Sequence, residues 1–433
     1  MRISGASSVV GNVKLPGDKS ISHRAALIGA LANGETVIGN FADSDDCHST
    51  LRCLEALGIG VQRNGGVVMI AGKGKFGFRR PQAPLDCGNS GTTMRLLAGV
   101  LAGQPFQTEL TGDASLGRRP MERVAEPLRQ MGAAIETSEG HAPIRISGHK
   151  PLKAIEYEAP VASAQLKSCV LLAGLYAEGR TIVSETTETR DHTERMLAAF
   201  GADLREFDAE GATGIAVSGG SELNGQNIQI PADPSGAAFF AVAAACLPGS
   251  RITFQKVGTN PSRVAFLDLL SELGVKADHS SPGVSAGEPF ADIHISNSKN
   301  VLSLPSILVI DGERIAGLID ELPIIAVLGT KVAPGIEVRD ASELRVKESD
   351  RIAGMVENLR KMGADIEEFP DGFRVKHSRL FGARVDSFGD HRIAMACSVA
   401  ALFAEGETKI GGAECASVSF PNFYRELESV TVR

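Results

Sequence analysis

Short polar segments recur along the sequence, each just before a stretch rich in alanine and leucine. There are six of them: residues 16–24 (PGDKSISHR), 87–95 (CGNSGTTMR), 162–167 (ASAQLK), 233–236 (DPSG), 320–323 (DELP) and 390–392 (DHR). Serine, asparagine and aspartate are preferred helix N-caps, and a helix N-terminus attracts anions through its free N–H groups. Any single segment could be an ordinary cap beside a solvated cation. Their recurrence at equivalent positions favours a site for phosphate or carboxylate groups.

Further cations stand where a second set of helices is predicted to begin. These segments are residues 118–120 (RRP), 189–192 (TRDH) and 345–351 (RVKESDR). Lys347 and Arg351 are four residues apart, which predicts that both lie on one face of a helix. Neither a Gly-x4-Gly-Lys-[Ser/Thr] loop nor a Gly-x-Gly-x-x-Gly segment after a strand occurs, so nucleotide cofactors are not supported.

A repeat of helix, glycine and strand positions these segments. Glycines 34, 103, 179, 249, 335 and 406 each follow an apolar helical stretch, with separations of 69, 76, 70, 86 and 71 residues. Each glycine is predicted at the helix C′ position, where a positive φ costs glycine little. In at least five of the six repeats a second, amphipathic helix follows, and it ends at Gly58, Gly132, Gly201, Gly274 or Gly363.

Six repeats of roughly 70 residues predict an α/β fold with two domains of three repeats each. The first helix of each repeat is apolar nearly all round and should be buried, whereas the second should lie outside. If the repeats are equivalent, the buried helices of a domain are parallel and their N-termini emerge on one face. Two such faces turned toward each other would form an anion-binding cleft.

Composition excludes several classes of protein. The chain has 433 residues with 44 basic and 52 acidic side chains, a net charge of −8, which argues against a nucleic-acid or anionic-membrane binder. Its longest apolar run, residues 237–247, is too short to cross a bilayer. Seven cysteines without a Cys-x-x-Cys pair, and no signal-peptide pattern at the N-terminus, favour the reducing cytoplasm. No motif calls for a metal or an organic cofactor, and we expect a monomer.

The segments resemble, in order, the signatures of the enolpyruvyl transferase family. The resemblance covers essentially the whole chain and rests on residues 16–24, 88–95, 119–121, 163–165, 344–351 and 390–392. It implies the two-domain fold of this family, with three βαβαββ units in each domain and parallel buried helices. It also implies domains of residues 15–232 and of residues 1–14 with 233–433, the chain crossing near Leu15 and Ala232.

Within this family the chain resembles the branch that acts on shikimate 3-phosphate. The implied reaction moves the enolpyruvyl group of phosphoenolpyruvate to the 5-hydroxyl of shikimate 3-phosphate through a tetrahedral ketal, and releases phosphate. The two substrates together carry roughly −5 to −6 at neutral pH, given about −1.5 to −2 for each phosphate. The seven matching cations are Lys19, Arg24, Arg119, Arg190, Lys347, Arg351 and Arg392.

Individual roles are implied by the resemblance as well. The residues matching shikimate 3-phosphate contacts are Lys19, Ser20, Arg24, Ser163, Gln165, Arg190, Asp320 and Lys347. Those matching phosphoenolpyruvate contacts are Lys19, Gly91, Arg119, Gln165, Glu348, Arg351 and Arg392. Asp320 is the candidate base for the 5-hydroxyl, and Glu348, helped by Lys347, is the candidate acid for the methylene carbon. Lys19 completes the candidate catalytic group.

Two departures point to the class II branch of the family, which is associated with tolerance to the inhibitor glyphosate. Val418 stands where the other branch carries a phosphate-site lysine, and Ala164 replaces a second serine.

The nearest alternative function is that of the sibling enzyme, which transfers enolpyruvate to UDP-N-acetylglucosamine. That enzyme has a reactive cysteine in the loop before its Arg-Pro pair, and residues 112–119 contain none. A second alternative is a non-catalytic anion-binding protein on the same fold, which should have lost Asp320, Glu348 or several cations.

Overall fold

The structure is a computed structural model that describes residues 1–209, 212–297 and 302–433. It divides into two compact units. Unit 1 contains residues 1–16, 232–283 and 289–433, and unit 2 contains residues 17–231 and 284–288. The domain limits implied by the resemblance stay a prediction.

Two kinds of helix alternate along the chain, as the repeat predicts. The inner helices are α1 (Lys19–Leu31), α3 (Gly91–Ala102), α5 (Ala164–Gly174), α7 (Pro234–Cys246), α10 (Leu322–Gly329) and α12 (His391–Leu402). The outer helices are α2 (Asp45–Ala56), α4 (Glu122–Gln130), α6 (His192–Ala199), α8 (Ala265–Glu272), α11 (Arg351–Lys361) and α13 (Phe423–Val430), and a short α9 (Arg314–Leu318) precedes α10. Every residue of α7, α10 and α12 is buried, whereas the outer helices bury one face, which confirms the predicted distinction.

The strands form small mixed sheets around these helices. In the first half of the chain they are β1 (Arg2–Ser4), β2 (Ser8–Val13), β3 (Asn33–Gly39), β4 (Gly60–Asn64), β5 (Val67–Lys73), β6 (Leu85–Asp86), β7 (Gln107–Thr111), β8 (Ala134–Ser138), β9 (His141–Ser147), β10 (Leu152–Lys153), β11 (Glu156–Glu158), β12 (Ala177–Glu178), β13 (Arg180–Glu185), β14 (Leu204–Ala209) and β15 (Ala212–Ser218). In the second half they are β16 (Asn227–Gln229), β17 (Arg251–Gly258), β18 (Lys276–Ser285), β19 (Glu288–Ser296), β20 (Leu302–Ser303), β21 (Leu308–Ile310), β22 (Val332–Ala333), β23 (Gly335–Val338), β24 (Ile366–Phe369), β25 (Gly372–Lys376), β26 (Arg384–Asp386), β27 (Glu407–Gly411) and β28 (Thr431–Val432).

One sheet pattern recurs, in which a parallel pair is followed by two antiparallel strands. The orders β6-β7-β9-β8, β11-β13-β15-β14 and β21-β23-β25-β24 show it with strands from one continuous stretch of chain. In β16-β3-β5-β4 the first strand instead comes from far along the sequence, with Ile228 opposite Ile38. The N-terminal β2 similarly pairs in parallel with β17, and β1 pairs with β27. The βαβαββ repeat of the two-domain enolpyruvyl transferase fold is therefore confirmed.

The glycines after the inner helices do not occupy the predicted C′ position, so that detail was wrong. The helix α1 ends at Leu31, three residues before Gly34, and α5 ends at Gly174, five residues before Gly179. Five of the six have positive φ, while Gly103 has φ −90°. Gly103 is the C-cap of α3, one position before C′. Gly34 and Gly335 lie at the start of β3 and β23, where their positive φ turns the chain into the strand.

The glycines after the outer helices match the prediction in all five repeats. After α2, for example, Gly58 has φ +85°, its N–H donates to the carbonyl of Glu55, and the N–H of Ile59 donates to that of Leu54. The same pair of bonds closes the other four, and together they define the Schellman motif.

Lys347 lies outside α11, contrary to the expectation of a shared helical face with Arg351. The chain forms a 3₁₀ turn over Ser342–Val346, and Asp350 caps α11 by accepting from the N–H of Ala353. An aspartate cap fixes the first helical residue just after it, which here is Arg351. Among the described residues, no helix combines the length and apolar character needed to cross a membrane.

Candidate active site

The first turns of the three inner helices of unit 2 lie side by side. Arg24 of α1 donates through Nη2 to Ser168 Oγ of α5 at 2.8 Å, and Arg95 Nη1 of α3 donates to Gln165 Oε1 of α5 at 2.5 Å. The caps predicted from the sequence are in place: Asp18, Ser90 and Ser163 each accept from a backbone N–H of their own helix. These turns therefore direct their free N–H groups and their cations toward one region of the unit.

Arg24 donates hydrogen bonds to three neighbouring groups. Its Nε donates to Thr193 Oγ1 at 2.7 Å and its Nη1 to the carbonyl of Ser20 at 3.0 Å, in addition to the bond with Ser168. Burial lowers the pKa of Arg24 to about 10, with Arg190 acting in the same direction and Glu194 opposing it. Because this value stays well above neutrality, Arg24 is a fixed positive charge.

Lys19 and Ser20 are the first two residues of α1, and both are partly exposed. Lys19 Nζ lies 3.0 Å from Asp46 Oδ2, a carboxylate for which no sequence motif predicts a role. Asp46 lies in the first turn of α2, where the repeat places an acidic residue close to the start of α1. A carboxylate partner orients the ammonium group at the start of α1.

Gly91 and Arg119 are neighbours at the start of α3. A Cβ added at Gly91 would lie 3.1 Å from Arg95 Nη1 and 3.4 Å from Arg119 Nη1. Arg119 is 7% exposed, and its Nη2 donates to Asn89 Oδ1 at 2.6 Å. The glycine thus leaves space beside two guanidinium groups, which is where a planar carboxylate or a phosphate would fit.

Gln165 and Arg190 complete the predicted residues of unit 2. Gln165 accepts from Arg95 and donates through Nε2 to Thr92 Oγ1 at 2.9 Å, so its amide orientation is fixed. Arg190 is half-buried just before α6 and close enough to Arg24 to influence its pKa. Arg95 was quoted from the sequence only as part of a motif. Its place one helical turn after Gly91 was a signal that it shares this face.

In unit 1, Asp320 lies between two arginines. Its Oδ1 is 3.6 Å from Arg351 Nη1 and its Oδ2 is 3.5 Å from Arg392 Nη2, while its carbonyl accepts from Arg392 Nη1 at 2.6 Å. The side chain is 16% exposed, so it can be reached from solvent. Two cations at this distance stabilise the ionised carboxylate, which is the form that a general base needs.

Arg351 is 2% exposed and bridges three carboxylates. Its Nε donates to Asp390 Oδ2 at 2.8 Å and its Nη2 to Glu348 Oε2 at 2.6 Å, and Nη1 approaches Asp320. Burial by itself would lower the pKa of Arg351, but Asp390, Glu348 and Asp320 raise it above the ordinary value. Asp390, the fully buried cap of α12, is the central partner, although sequence reasoning named it only within a motif.

Lys347 and Glu348 differ in how readily each would donate a proton. Burial lowers the pKa of Lys347, with Asp320 opposing the effect and Arg351 reinforcing it. Glu348 is 18% exposed and is bonded to Arg351. A lysine with a lowered pKa gives up a proton more readily than an ordinary lysine, whereas an arginine-bonded carboxylate tends to stay ionised.

A buried chain of polar side chains leads to Arg392, which contacts Asp320. Arg263 Nη2 donates to Ser235 Oγ at 3.1 Å, Ser235 donates to Glu321 Oε1 at 2.5 Å, and Glu321 lies 3.8 Å from Arg392 Nη1. Ser235, Glu321 and Arg392 lie at the N-terminal ends of α7, α10 and α12, so the inner helices of unit 1 also bring their first turns together.

The two units carry different chemistry. The group in unit 2 contains five cations, Lys19, Arg24, Arg95, Arg119 and Arg190, and is suited to binding anions. Asp46 is paired with Lys19, and Glu194 lies close enough to Arg24 to act on its pKa. The group in unit 1 contains three cations, Lys347, Arg351 and Arg392, among four carboxylates, Asp320, Glu321, Glu348 and Asp390. Such a mixture can move protons as well as bind charge. Within the described parts of the chain, no three histidine, cysteine or acidic side chains gather as metal ligands would.

Comparison with known proteins gives a consistent result. Residues 3–427 match the family model of EPSP synthase (3-phosphoshikimate 1-carboxyvinyltransferase). A 3-phosphoshikimate 1-carboxyvinyltransferase of Koribacter versatilis is 49% identical, covering 100% of this chain and 99% of that protein. One of Salinibacter ruber is 50% identical, covering 99% of each. The solved EPSP synthase of Acinetobacter baumannii superimposes with a TM-score of 0.86 at 40% identity, over 99% of this chain and 97% of that chain.

Proposed function

This chain belongs to the EPSP synthase (3-phosphoshikimate 1-carboxyvinyltransferase) family, and we propose that the two groups of residues described above carry out the reaction of that family. The reaction transfers the enolpyruvyl group of phosphoenolpyruvate to the 5-hydroxyl of shikimate 3-phosphate, a step of the shikimate pathway, and releases phosphate. The observation that carries this function is the full-length family match to relatives of one name. The UDP-N-acetylglucosamine alternative is not favoured, since relatives 48–50% identical over nearly the whole chain, from Koribacter versatilis, Solibacter usitatus and Salinibacter ruber, carry the name 3-phosphoshikimate 1-carboxyvinyltransferase.

The binding roles follow the residues that resemble the family signatures. For shikimate 3-phosphate we propose Lys19, Ser20, Arg24, Ser163, Gln165, Arg190, Asp320 and Lys347, and for phosphoenolpyruvate Lys19, Gly91, Arg119, Gln165, Glu348, Arg351 and Arg392. The space beside Gly91, lined by Arg95 and Arg119, supports the placement of a small anion there. The hydroxyl of Ser163 accepts from the N–H of Leu166 at 3.4 Å, which leaves its own proton for a ligand.

In the first step, the oxygen of the 5-hydroxyl attacks C2 of phosphoenolpyruvate, and the methylene carbon C3 takes up a proton to form the ketal. Asp320 accepts the proton of the hydroxyl. In the second step C3 loses a proton, the bond from C2 to the phosphate oxygen breaks, and the double bond re-forms in the product. The proton that Asp320 took from the hydroxyl passes to the departing phosphate, and the proton that C3 loses replaces the one that it gained. The overall reaction therefore neither takes up nor releases a proton.

Proton delivery to C3 is better assigned to Lys347 than to Glu348. Glu348 accepts a 2.6 Å bond from Arg351, which favours its ionised form, while burial lowers the pKa of Lys347. We therefore propose that Lys347 donates in the first step and that Glu348 takes the proton from C3 in the second. This proposal differs from the expectation from sequence, in which Glu348 was the acid and Lys347 its helper.

The decisive assay measures phosphate release with phosphoenolpyruvate and either shikimate 3-phosphate or UDP-N-acetylglucosamine. We expect turnover only with shikimate 3-phosphate. Turnover only with UDP-N-acetylglucosamine would support the sibling activity. Absence of turnover with either acceptor, while neither substrate tightens binding of the other, would support a non-catalytic anion-binding protein.

We further propose that the domains comprise residues 15–232 and residues 1–14 with 233–433. We also propose that the protein acts as a monomer, in the cytoplasm and without a cofactor. Light scattering coupled to gel filtration should give a mass near the 45.4 kDa of one chain. A mass of two chains at micromolar concentration would contradict the monomer.

A further inference from the structure

A buried cluster of three charged side chains lies beneath the start of α6 in unit 2. Lys167 Nζ is 2.7 Å from Glu185 Oε2 and 2.7 Å from Glu194 Oε1, and their side chains are only 4–8% exposed. Lys167 belongs to α5, Glu185 ends β13 and Glu194 belongs to α6, so the cluster joins three elements. The reaction described above does not use any of these three side chains directly.

The cluster holds the segment that carries Arg190 from both sides. Upstream, Thr189 donates through Oγ1 to Glu185 Oε1 at 2.5 Å and through its N–H to Glu185 Oε2 at 3.4 Å. The carbonyl of Thr189 accepts from Lys167 Nζ at 3.4 Å. Downstream, Glu194 is bound to the same ammonium group. The carbonyl before Arg190 and the Glu194 side chain after it are therefore both fixed to one buried cation.

A second buried pair fixes His192, which lies two residues after Arg190. His192 Nδ1 lies 2.8 Å from Glu288 Oε1, and both side chains are 1% exposed. Glu288 belongs to the 284–288 segment of unit 2, whose Gly287 carbonyl also accepts from Arg195 Nη1 at 3.2 Å. Thus the whole stretch from Thr189 to Arg195 is anchored, while Arg190 itself stays half-buried and partly open to solvent.

Stability does not explain such a cluster. Buried ion pairs lose much of their Coulomb energy to desolvation, and apolar residues of similar volume often stabilise a fold as well or better. Here two glutamates surround one lysine, and Glu194 is also close enough to Arg24 to raise its pKa against the effect of burial. The arrangement offsets the charge of Arg24 and Arg190, two cations that repel each other before an anion binds.

We propose that Lys167, Glu185 and Glu194 are positioning residues, which hold Thr189 so that the Arg190 guanidinium is pre-oriented for an anionic group of shikimate 3-phosphate. This inference rests on the proposed function in one respect, the assignment of Arg190 to that substrate. A pre-oriented arginine loses little conformational freedom on binding, so the cluster acts on affinity for one substrate and leaves the chemical step alone.

The test uses the full chain and steady-state kinetics of phosphate release. Glu185→Gln should raise the KM for shikimate 3-phosphate about tenfold, with kcat within threefold and the KM for phosphoenolpyruvate within twofold of wild type. Thr189→Val removes the same bond from the other side and should act alike, whereas Thr189→Ser retains the hydroxyl and should restore the wild-type KM. Glu337→Gln is the matched control, because Glu337 is a buried glutamate bonded to Arg339 and Arg374, and none of these three residues is assigned to substrate binding or catalysis.

A double-mutant cycle separates positioning from general damage. If the cluster acts through Arg190, Thr189→Val should add less than twofold to the KM in an Arg190→Ala background. Full additivity, or an equal loss for both substrates, would overturn the inference. If Arg190→Ala raises the KM and neither Glu185→Gln nor Thr189→Val does, the inference fails while the proposed function stands. If Arg190→Ala itself leaves the KM unchanged, the assignment of Arg190 fails, and the inference with it.

Discussion

At the scale of single residues, the carboxylates of unit 1 are defined by the arginines that they touch. Asp320 lies between Arg351 and Arg392 at 3.6 and 3.5 Å without a short bond to either side chain. Asp390 is fully buried and bonded to Arg351, so it is a structural anchor. The same residue type is therefore proposed as a base at one position and is a structural support at the other, because exposure and partners differ.

Replacing Asp320 tests its role as the base. Asp320→Asn keeps the shape but cannot accept the hydroxyl proton, so we expect kcat to fall at least about 100-fold. Phosphate release at saturating substrates measures the change. Asp365→Asn, at an exposed carboxylate paired with Lys376, is the control and should leave kcat unchanged. A loss smaller than tenfold in Asp320→Asn would assign the base elsewhere.

Lys347 predicts a specific pH dependence. Because burial lowers its pKa, the protonated donor should be lost as pH rises through a value below about 10.4, the ordinary value for lysine. The profile of kcat against pH should therefore decline on the alkaline side, and Lys347→Arg should move this decline to higher pH. Lys361→Arg, at an exposed lysine, should leave the profile as in wild type. An unchanged alkaline decline in Lys347→Arg would exclude Lys347 as its origin.

At the scale of elements, close packing of the inner helices brings their first turns together. α3 and α5 approach so closely at Gly99 that an added Cβ would lie 2.3 Å from the carbonyl oxygen of Cys169. Backbone atoms cannot move aside as a flexible side chain can, so the helices would have to separate. The positions of Arg95 and Gln165, one or more turns earlier, depend on this contact.

Gly99→Ala should therefore destabilise unit 2. We expect the free energy of unfolding to fall by about 1–3 kcal/mol, the usual cost of overpacking, measured by urea denaturation. Gly236→Ala is the matched control, since Gly236 is also in an inner helix but its added Cβ would meet only ordinary contacts at 3.5 Å or more. Equal stability of the two variants would contradict the close approach of α3 and α5.

A buried hydrogen-bonded chain links α1, α2 and α3. His23 Nδ1 lies 2.7 Å from Thr50 Oγ1, which lies 2.6 Å from Thr93 Oγ1, and Thr93 donates to Ser90 Oγ at 2.8 Å. Burial, reinforced by Lys19 and Arg24, lowers the pKa of His23 well below 6.5. The imidazole is therefore neutral in the folded state across the range in which an unfolded histidine takes up a proton.

This linkage predicts a stability loss in mild acid. Below pH 6.5 the unfolded state binds a proton that the folded state does not, so stability falls as pH falls, by up to about 1.4 kcal/mol per pH unit. His23→Gln should remove this contribution, which is measured as a smaller difference in unfolding free energy between pH 7 and pH 5.5. His377→Gln, at an exposed histidine, should keep the wild-type slope. The same slope in all three proteins would contradict a neutral buried His23.

At the scale of the whole molecule, net charge and local charge have opposite signs. The chain carries −8, and its substrates are anions, so the overall field opposes their approach. Three of the cations of unit 2, Lys19, Arg24 and Arg95, lie in the first two turns of α1 and α3, whose partial positive charge adds to theirs. Close to the site the local field should outweigh the more distant acidic surface, because salt screens distant charges most.

Ionic strength distinguishes the two fields. If local cations dominate, kcat/KM for shikimate 3-phosphate should fall about fivefold or more between low salt and 0.5 M potassium chloride. If the net charge dominates, kcat/KM should rise instead. A neutral osmolyte at matched viscosity is the control for effects unrelated to charge, and it should leave the ratio within twofold.

Local signals were sufficient to predict the helices, their caps and the turns after the outer helices. Asp18, Ser90 and Ser163 cap as expected, because an N-cap bond involves only residues within three positions. The ends of the inner helices were not predictable in this way. Gly34 and Gly179 lie beyond helices that end earlier, since buried helix ends are set by packing against the sheets and not by a glycine signal.

Long-range partners were beyond reach of the sequence. Nothing in the motifs pairs Lys19 with Asp46, Arg351 with Asp390, or Lys167 with Glu185, because each pair joins segments 18 to 39 residues apart. The resemblance supplied residue roles but not the bonds that fix each side chain. The bond from Arg351 to Glu348 and the burial of Lys347 are the reasons for proposing Lys347, instead of Glu348, as the proton donor to C3.

By itself, the sequence determined the sixfold repeat, five capped helix starts and the family to which the chain belongs. At the sixth, α10, the structure has no side-chain cap. Periodicity and capping are properties of neighbouring residues, so they can be recognised before any folding. Only the tertiary structure decided which cations are held by carboxylates and which are held by hydroxyl and carbonyl oxygens. That difference arises when helices from distant parts of the chain bring their first turns together, since burial and partner distance then set the charge state and orientation of every group.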